Sequence, residues 1–294
     1  MNVAVYDFGT ARVKLTITFS QNNSICIKKY KVETGLGKLF ENSSKEEIIN
    51  SKDKLKRSIL ELCSYTNGIN FDKKICVVTE VFRNFPELLE ELNLYSSIIG
   101  KPKILSGKEE GEIFYRNIKN LISLKDFVLL DVGGGSVQIV WENNSKIEVL
   151  SLPIGTYRLQ NLYQLKKQLL TNEESKIIEN EIFSILEQSG KKISTNNIVL
   201  GSNCMENLFL SLEKTTKIDL MKDNNLIAMS SILNDFMIDK SYEKQKPYFP
   251  ENENFMYGAD KLFIITLKIA EFVNAKRVLP TNESLSSSLA RLSL

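Results

Sequence analysis

The sequence predicts an α/β fold made of two similar domains. Its clearest feature is a pattern that occurs twice: an apolar strand ends in aspartate, glycine and a hydroxyl residue follow, and a second strand comes next. The two copies, at residues 3–17 and 127–142, begin about 120 residues apart, and each predicts a β-hairpin. Strands alternate with helical patterns in both halves, and 294 residues are enough for two domains with separate cores.

The first half predicts one α/β domain with five strands. Ile48, Leu55 and Ile59 lie on one face of the first helical segment, which is the spacing of an amphipathic helix. Pro86 falls in the first turn of the next helix, where proline is favoured because its missing N–H has no partner to lose. The predicted strands are 2–7, 12–19, 24–33, 74–79 and 98–105, and the predicted helices are 45–66, 85–92 and 108–119.

The second half repeats the strand–turn–strand beginning and then adds more helices. Thr171 and Glu174 have the spacing of a helix N-terminus. Residues 238–256 are charged and aromatic without clear periodicity, so they are compatible with a cleft-facing loop or with a surface crossing. The predicted strands are 126–131, 136–142, 145–152, 196–201 and 276–280, and the predicted helices are 155–165, 172–189, 203–213, 225–237, 258–273 and 283–292.

The two aspartate–glycine turns have the composition of phosphate-binding loops. Glycines let backbone N–H groups approach an anion closely, and a neighbouring hydroxyl adds a further donor. An aspartate at each strand end could hold a hard cation, Mg²⁺ or Mn²⁺, although either aspartate could instead cap its own turn. The predicted phosphate-binding residues are Gly9, Thr10, Gly133, Gly134, Gly135 and Ser136, and the predicted metal ligands are Asp7 and Asp131.

The composition excludes several classes of function. The chain has no histidine, which rules out Ser-His-Asp and Cys-His catalysis and imidazole zinc sites. A net charge of +2 does not indicate a nucleic-acid partner, and no apolar run approaches the ~20 residues that span a bilayer. The scattered cysteines, Cys26, Cys63, Cys76 and Cys204, are expected to be reduced core thiols of a cytoplasmic protein.

Six segments, in the right order along the chain, resemble the signatures of one protein family. They are Asp7-Phe8-Gly9-Thr10, Thr34-Gly35-Leu36-Gly37, Thr79-Glu80-Val81-Phe82-Arg83, Ile104-Leu105-Ser106-Gly107-Lys108-Glu109-Glu110, Asp131-Val132-Gly133-Gly134-Gly135-Ser136 and Pro153-Ile154-Gly155-Thr156-Tyr157-Arg158-Leu159. The family is the exopolyphosphatase / guanosine pentaphosphate phosphatase (Ppx/GppA) family of the actin-like ATPase superfamily. Because the matches are ordered and numerous, they are far more specific than any single glycine motif.

The resemblance implies two actin-like (ribonuclease H-like) domains that flank a phosphate-binding cleft. We expect the first domain to comprise residues 1–122 together with a C-terminal helix at 283–294, and the second to comprise residues 123–282. The same resemblance is compatible with a homodimer.

Catalytic roles follow from the resemblance rather than from position alone. Glu109 and Glu110 follow a Ser-Gly turn, where carboxylates ordinarily cap a helix. The general base of the family is the second glutamate of Ser-Gly-x-Glu-Glu, which implies Glu110 here, with Glu109 as the alternative. The arginine that contacts phosphate in the family corresponds to Arg83, although a loop arginine is as often simply solvated.

Two departures from the family pattern bear on binding. The first loop usually reads Asp-x-Gly-Ser-Asn-Ser, whereas Ala11 and Arg12 occupy the last two of those positions here. Ala11 cannot donate the hydrogen bond of an asparagine, while Arg12 could supply a replacement contact to phosphate. The second loop usually ends in glutamate, whereas Gln138 is a neutral amide, so one potential metal carboxylate is absent.

We therefore expect a Mg²⁺- or Mn²⁺-dependent hydrolase with Glu110 as general base. Its substrate would be inorganic polyphosphate or a guanosine pentaphosphate or tetraphosphate, from which it would release terminal orthophosphate. A non-catalytic regulator of the same fold, binding phosphate or nucleotide, is the main alternative, and Ala11 and Gln138 favour it. A third interpretation, an actin-like ATP-dependent small-molecule kinase, would need an adenosine pocket in the second domain.

Overall fold

Two compact units make up the fold. A computed structural model of the protein describes residues 1–21, 24–39, 43–162, 169–201, 204–249 and 253–294. The first unit comprises Met1–Ile122, Gly133–Gly135 and Ser284–Leu294, and the second comprises Ser123–Val132 and Ser136–Glu283. Each unit contains its own five-stranded sheet. The mixed α/β class predicted from the sequence is therefore confirmed.

The secondary-structure elements follow one another along the chain with few long connections. The strands are β1 (Asn2–Phe8), β2 (Arg12–Gln21), β3 (Ser24–Glu33), β4 (Lys73–Val78), β5 (Pro102–Ile104), β6 (Val128–Val132), β7 (Val137–Asn143), β8 (Lys146–Leu152), β9 (Asn197–Leu200) and β10 (Arg277–Pro280). The helices are α1 (Lys45–Ser64), α2 (Glu80–Asn84), α3 (Pro86–Asn93), α4 (Ser96–Ile99), α5 (Gly107–Leu121), α6 (Thr156–Leu162), α7 (Asn172–Gln188), α8 (Met205–Thr216), α9 (Leu226–Ile232), α10 (Tyr242–Gln245), α11 (Glu253–Phe272) and α12 (Leu285–Leu292).

The two sheets have the same topology. The first has the strand order β3-β2-β1-β4-β5, and the second, taken from its β8 edge, has the order β8-β7-β6-β9-β10. In each sheet the first strand pairs antiparallel with the strand that follows it and parallel with a later one. The predicted hairpins form with matched register, because Asp7 is paired with Lys14 in one and Asp131 with Gln138 in the other.

Helices cover both faces of the first sheet. One face packs against α1 and α3, where Leu55 and Leu88 join the buried core with Tyr6. The other face packs against α12, where Ala290 meets Val3 and Val5. Since successive strand residues point to opposite faces, Asp7 lies on the α12 face with Val3 and Val5. Asp7, near the end of β1, therefore lies on the face opposite the larger of the two cores that flank this sheet.

A single large core holds the second unit together. Buried residues of α7, α8 and α11 pack against β6 and its neighbours, and the rings of Phe209 and Phe263 lie 5.9 Å apart. Leu130 is fully buried at the centre of this core, and the next residue, Asp131, is only partly buried. Because successive strand residues point to opposite faces, Asp131 lies on the face opposite Leu130 and Val132, which both join this core.

One predicted strand was wrong. The segment predicted as a strand at 98–105 consists instead of α4, a break and the three-residue strand β5, because Gly100 adopts a positive φ of 90° between them. The helix predicted at 225–237 is confirmed, as α9 up to Ile232 and then a π-helical turn, Leu233–Met237. The short helix α2, which follows β4 directly, was not predicted at all.

Other predictions hold in part. Thr171 begins α7 with a capping box, in which its hydroxyl accepts from the Glu174 N–H at 3.1 Å. All four cysteines are free, but Cys26 is exposed on the edge strand β3, so the expectation of a core thiol was wrong there. Residues 238–249 contain α10 and a 3₁₀ turn, while 163–168, 202–203 and 250–252 lie outside the described residues. Among the helices described, none has the length and apolar character needed to cross a membrane.

Candidate functional site

The first aspartate–glycine loop is a tight hairpin turn between β1 and β2. The N–H of Gly9 donates to the carbonyl oxygen of Arg12 at 3.0 Å. A Cβ atom at position 9 would lie 3.2 Å from that same oxygen, so a side chain would crowd the turn. Thr10 therefore lies at the tip of the turn, with Asp7 just before it at the end of β1.

Asp7 is buried beside a lysine. Only 3% of the residue is exposed, and the Lys14 ammonium lies 3.7 Å from its carboxylate. Burial raises the pKa of Asp7 above its ordinary value, and the nearby charge of Lys14 and its hydrogen bond offset part of that effect. The charge of Asp7 therefore depends on two opposing effects, its burial and its cationic neighbour.

The two residues that depart from the family pattern in this loop have structural partners. Arg12 forms an ion pair with Glu33 on the adjoining strand, with its Nε 2.5 Å from the carboxylate. The carbonyl oxygen of Ala11 accepts hydrogen bonds from the backbone N–H and hydroxyl of Thr34, at 3.3 and 3.4 Å. Whether Arg12 also contacts phosphate stays a prediction, because its guanidinium would have to be shared with Glu33.

The second glycine loop joins β6 to β7. Its three glycines, Gly133, Gly134 and Gly135, are not among the positive-φ residues, so their backbone shape does not require glycine. Gly135 requires glycine for space, because a Cβ atom there would overlap the carboxylate of Glu80 and lie 3.0 Å from the Thr10 hydroxyl. Glycine at this position therefore leaves room for the Glu80 carboxylate, and its role in binding phosphate stays a prediction.

Uncharged side chains form hydrogen bonds next to the second loop. Gln138 is 2% exposed and faces Asp131 across the hairpin. Its amide nitrogen donates to the Ser136 hydroxyl at 2.9 Å and to the Ser151 hydroxyl at 3.4 Å. Ser136, predicted to bind phosphate, is therefore oriented by the residue that replaces the glutamate of the family.

Glu80 is a site residue that sequence reasoning missed. It begins α2, and its carboxylate accepts a hydrogen bond from the Thr10 hydroxyl at 3.2 Å. The same carboxylate lies against the backbone at Gly135. The one available signal was its position within a segment that resembles a family signature, Thr79-Glu80-Val81-Phe82-Arg83.

The two adjacent glutamates of α5 have different surroundings. Glu109 completes a capping box with Ser106: its carboxylate accepts from the Ser106 N–H at 2.9 Å, and Lys103 lies 3.0 Å from its other oxygen. The backbone hydrogen bond of Ser106, followed by the contact with Lys103, lowers the pKa of Glu109 to about 2. Glu109 is therefore a weak base and a structural cap.

Glu110 points into the first unit instead. It is 7% exposed, and its carboxylate lies 3.1 Å from the guanidinium of Arg83. Arg83 also donates to the carbonyl oxygen of Leu105, so two residues of the Ile104–Glu110 signature hold its side chain in place. The structure thus brings Arg83 and Glu110 together as a pair, and brings Thr10 and Gly135 together at Glu80.

The carboxylates present could hold Mg²⁺ or Mn²⁺ only together with other ligands, such as water and substrate phosphates. Within the described part of the chain, no group of three or more cysteine, aspartate and glutamate residues is arranged to hold a metal ion. Mg²⁺ commonly keeps several waters and binds through one or two carboxylates together with substrate phosphates. The carboxylates that could act in this way are Asp7, buried near the end of β1, and Asp131, in the second hairpin.

These features define a duplicated α/β fold, with a glycine loop after the first strand of each sheet. The chain belongs to the Ppx/GppA phosphatase family, whose model matches residues 21–251. The resemblance drawn from the six sequence segments is thereby confirmed. No protein with curated annotation matches the sequence.

Solved structures with the same fold extend over the whole chain. A Ppx/GppA family member from Aquifex aeolicus is 21% identical with a TM-score of 0.77, and the match covers 100% of this chain and 97% of that chain. An exopolyphosphatase from Cytophaga hutchinsonii is 15% identical with a TM-score of 0.81, again covering 100% of this chain and 97% of that chain. Both likenesses show the fold.

Proposed function

We propose that the protein is a phosphoanhydride hydrolase that releases terminal orthophosphate from inorganic polyphosphate or from guanosine pentaphosphate, with Glu110 as general base. The observation that carries this proposal is the difference between the surroundings of the two adjacent glutamates of α5. Glu109 is committed to the helix cap, whereas Glu110 is buried and paired with Arg83. The contact with Arg83 fixes the position of the Glu110 carboxylate, and a general base must lie within reach of the water that it deprotonates.

In the proposed reaction, a water molecule hydrogen-bonded to Glu110 attacks the terminal phosphorus. Glu110 takes a proton from that water, the bond from phosphorus to the bridging oxygen breaks, and the shortened chain leaves as the anion. Positioning and charge neutralisation supply most of the rate enhancement in such a transfer. Thr10, Ser136 and the backbone of the two glycine loops are the proposed phosphate donors.

Asp7 and Asp131 are the proposed ligands of Mg²⁺ or Mn²⁺. The bound cation would neutralise the charge that develops on the phosphate oxygens. Oxygen donors in a chain without histidine suit a hard cation better than zinc. Replacing Asp131 with asparagine should therefore raise the Mg²⁺ concentration needed for half-maximal binding, since one formal charge is lost beside a dication.

A basic sheet face supports inorganic polyphosphate over a nucleotide. Lys14 of β2 is the cross-strand partner of Lys31 of β3, and Lys29 lies two residues further along on the same face. An extended polyanion lying along this face could contact several of these ammonium groups at once. Because Lys14 lies 3.7 Å from Asp7, the basic face begins at the first loop.

A non-catalytic phosphate binder of the same fold is the second candidate. Gln138 favours it, since the buried amide replaces a carboxylate beside Asp131. A homodimer and a guanosine tetraphosphate ligand stay predictions for either function.

The test is phosphate release from long polyphosphate, tripolyphosphate and guanosine pentaphosphate, each with Mg²⁺ and with excess EDTA. We expect release that needs the cation and is fastest with long polyphosphate. Full activity in EDTA would reject the metal requirement. Tight binding of every substrate without release would establish the binder, and ADP formation with a second substrate would identify a kinase.

A further inference from the structure

The carboxylate of Glu80 lies where two predicted phosphate-binding groups meet. It accepts the Thr10 hydroxyl hydrogen bond at 3.2 Å, and it occupies the space that a side chain at Gly135 would need. Thr10 and Gly133–Gly135 all belong to the first unit, so this arrangement is internal to one compact body. A hydroxyl donor and a glycine backbone are the groups that a loop uses to bind an anion, and here they contact an anion of the protein itself.

The contact joins three segments that lie far apart in the sequence. Glu80 begins α2 directly after β4, whereas Thr10 lies in the turn between β1 and β2 and Gly135 lies in the loop before β7. Glu80 therefore places a negative charge at the loops without disturbing Thr79, whose N–H and hydroxyl bond to the carbonyl oxygen of Phe8 at 3.2 and 3.4 Å.

We propose that Glu80 is a built-in competitor for phosphate, which occupies the anion seat formed by Thr10 and Gly135 and so sets the affinity of the site for its substrate. This inference rests on the proposed function, because it takes the ligand to be a phosphate group of a polyphosphate. A phosphate that enters the seat must displace the Glu80 carboxylate. Two anions cannot share the same donors without a large repulsion, so Glu80 selects for ligands with enough further contacts to displace it.

Binding without turnover tests the inference directly. Tripolyphosphate affinity would be measured by calorimetry in EDTA for the wild type, Glu80→Gln and Glu80→Ala. We expect both variants to bind about tenfold or more tightly, since each removes the competing charge, and tenfold is the effect of about 1.4 kcal/mol. Glu87→Gln is the matched control, because Glu87 is an exposed glutamate of the same unit and its replacement also removes one negative charge.

A stability measurement tests the contact itself. Gly135→Ala forces a new Cβ atom into the Glu80 carboxylate, so it should lower the Tm of the wild type. The loss of Tm should be smaller in the Glu80→Ala background, since the principal clash is absent there. Such non-additivity is what residues in contact show and what distant residues do not. Glu80→Gln keeps the size of the side chain and serves as the check that the fold is intact.

The possible results separate this inference from the proposed function. Unchanged or weaker tripolyphosphate binding by Glu80→Gln in EDTA would overturn the competitor role. If the loss of affinity appeared only with Mg²⁺ present, Glu80 would be a cation ligand and the competitor role would equally be rejected. Tighter binding by the Glu80 variants in a protein that releases no phosphate would uphold the competitor and refute the hydrolase.

Discussion

The two aspartate–glycine hairpins share one topology and differ in charge. In the first, Asp7 faces Lys14 and Arg12 pairs with Glu33, so acidic and basic groups alternate along the strands. In the second, Asp131 faces the neutral Gln138. The register that places an aspartate opposite its partner is thus repeated, while the partner is a cation in one copy and an amide in the other.

This difference shows that a duplicated fold fixes positions more strongly than it fixes chemistry. The strand pairing of each sheet determines which residue faces the aspartate, and the side chain at that position then determines the charge of the loop. The first unit also contains the Arg83–Glu110 pair, which gives it a second set of paired charges. We therefore expect the largest effects on turnover from changes in the first unit and smaller effects, mainly on cation binding, from changes in the second hairpin.

The largest expected effect is on turnover, in Glu110→Gln. Removing the base should lower kcat by ~10²–10⁴-fold with little change in polyphosphate binding. Glu109→Gln is the matched control, because glutamine still completes a capping box and should leave kcat nearly unchanged. The comparison of the two variants in a phosphate-release assay isolates the buried carboxylate from the exposed one.

A reversed result would break this assignment. If Glu109→Gln lost turnover while Glu110→Gln kept it, Glu109 would be the base despite its pKa of about 2. The capping interaction of Glu109 would then have to open during the reaction.

The next effect concerns substrate affinity and the basic face of the first sheet. Replacing Lys29 and Lys31 together with glutamate should raise KM for long polyphosphate by about tenfold at low ionic strength, and salt should diminish the difference. Tripolyphosphate is too short to need this face and should be affected less. Lys28→Glu is the control, since Lys28 lies on the opposite face of β3, with its ammonium 5.8 Å from the centre of the Phe19 ring. Lys28→Glu is compared with Lys29→Glu alone, which makes the same change in net charge, and an equal effect of these two single variants would mean that only net charge matters.

The fold was largely predictable from the sequence because its signals are local. Each hairpin is indicated by an apolar strand followed by an aspartate and glycine, and the short turn then predicts that the two flanking strands pair antiparallel. The strand predicted at 98–105 failed because Gly100 takes a positive φ and the segment before it forms α4. Apolar residues in a short run do not distinguish a strand from a helical turn.

Only those residues of the candidate site that belong to a local sequence motif could be predicted from the sequence. Asp7, Asp131 and the glycines were predicted from the hairpin pattern. Position alone did not separate Glu109 from Glu110, since both follow the same turn, and only the family resemblance favoured Glu110. Their difference depends on which carboxylate folds back onto Ser106 and which one reaches Arg83. Glu80 was missed because its contact with Thr10 spans 70 residues of sequence and no local pattern indicates it.

A smaller effect is expected from restoring a carboxylate to the second hairpin. Gln138→Glu buries a charge beside Asp131, which should lower the Tm in EDTA because like charges in a buried setting repel. Added Mg²⁺ should restore more of the Tm in this variant than in the wild type and should bind several-fold more tightly. Thermal unfolding across a Mg²⁺ titration measures both. An identical Mg²⁺ response in the two proteins would show that position 138 lies away from the cation.

The smallest expected effect concerns the charge of Asp7 and is a matter of stability and pH. Burial raises the pKa of Asp7 in the folded state above the ordinary aspartate value of 3.8. The folded state therefore holds this proton more tightly than the unfolded chain does, so the contribution of Asp7 to stability is full below pH ~4 and is lost as the pH rises through the raised pKa. Asp7→Asn removes the ionisation, and the Tm of the variant relative to the wild type should rise between pH 4 and pH 7 in EDTA. In Lys14→Met the loss of Tm with rising pH should be larger than in the wild type, because Lys14 partly offsets the effect of burial on the pKa of Asp7. If the Tm of Asp7→Asn relative to the wild type fell as the pH rose, the Asp7–Lys14 ion pair would stabilise the fold by more than the burial of Asp7 costs. The first hairpin would then be stabilised by a pair of opposite charges that the second hairpin lacks.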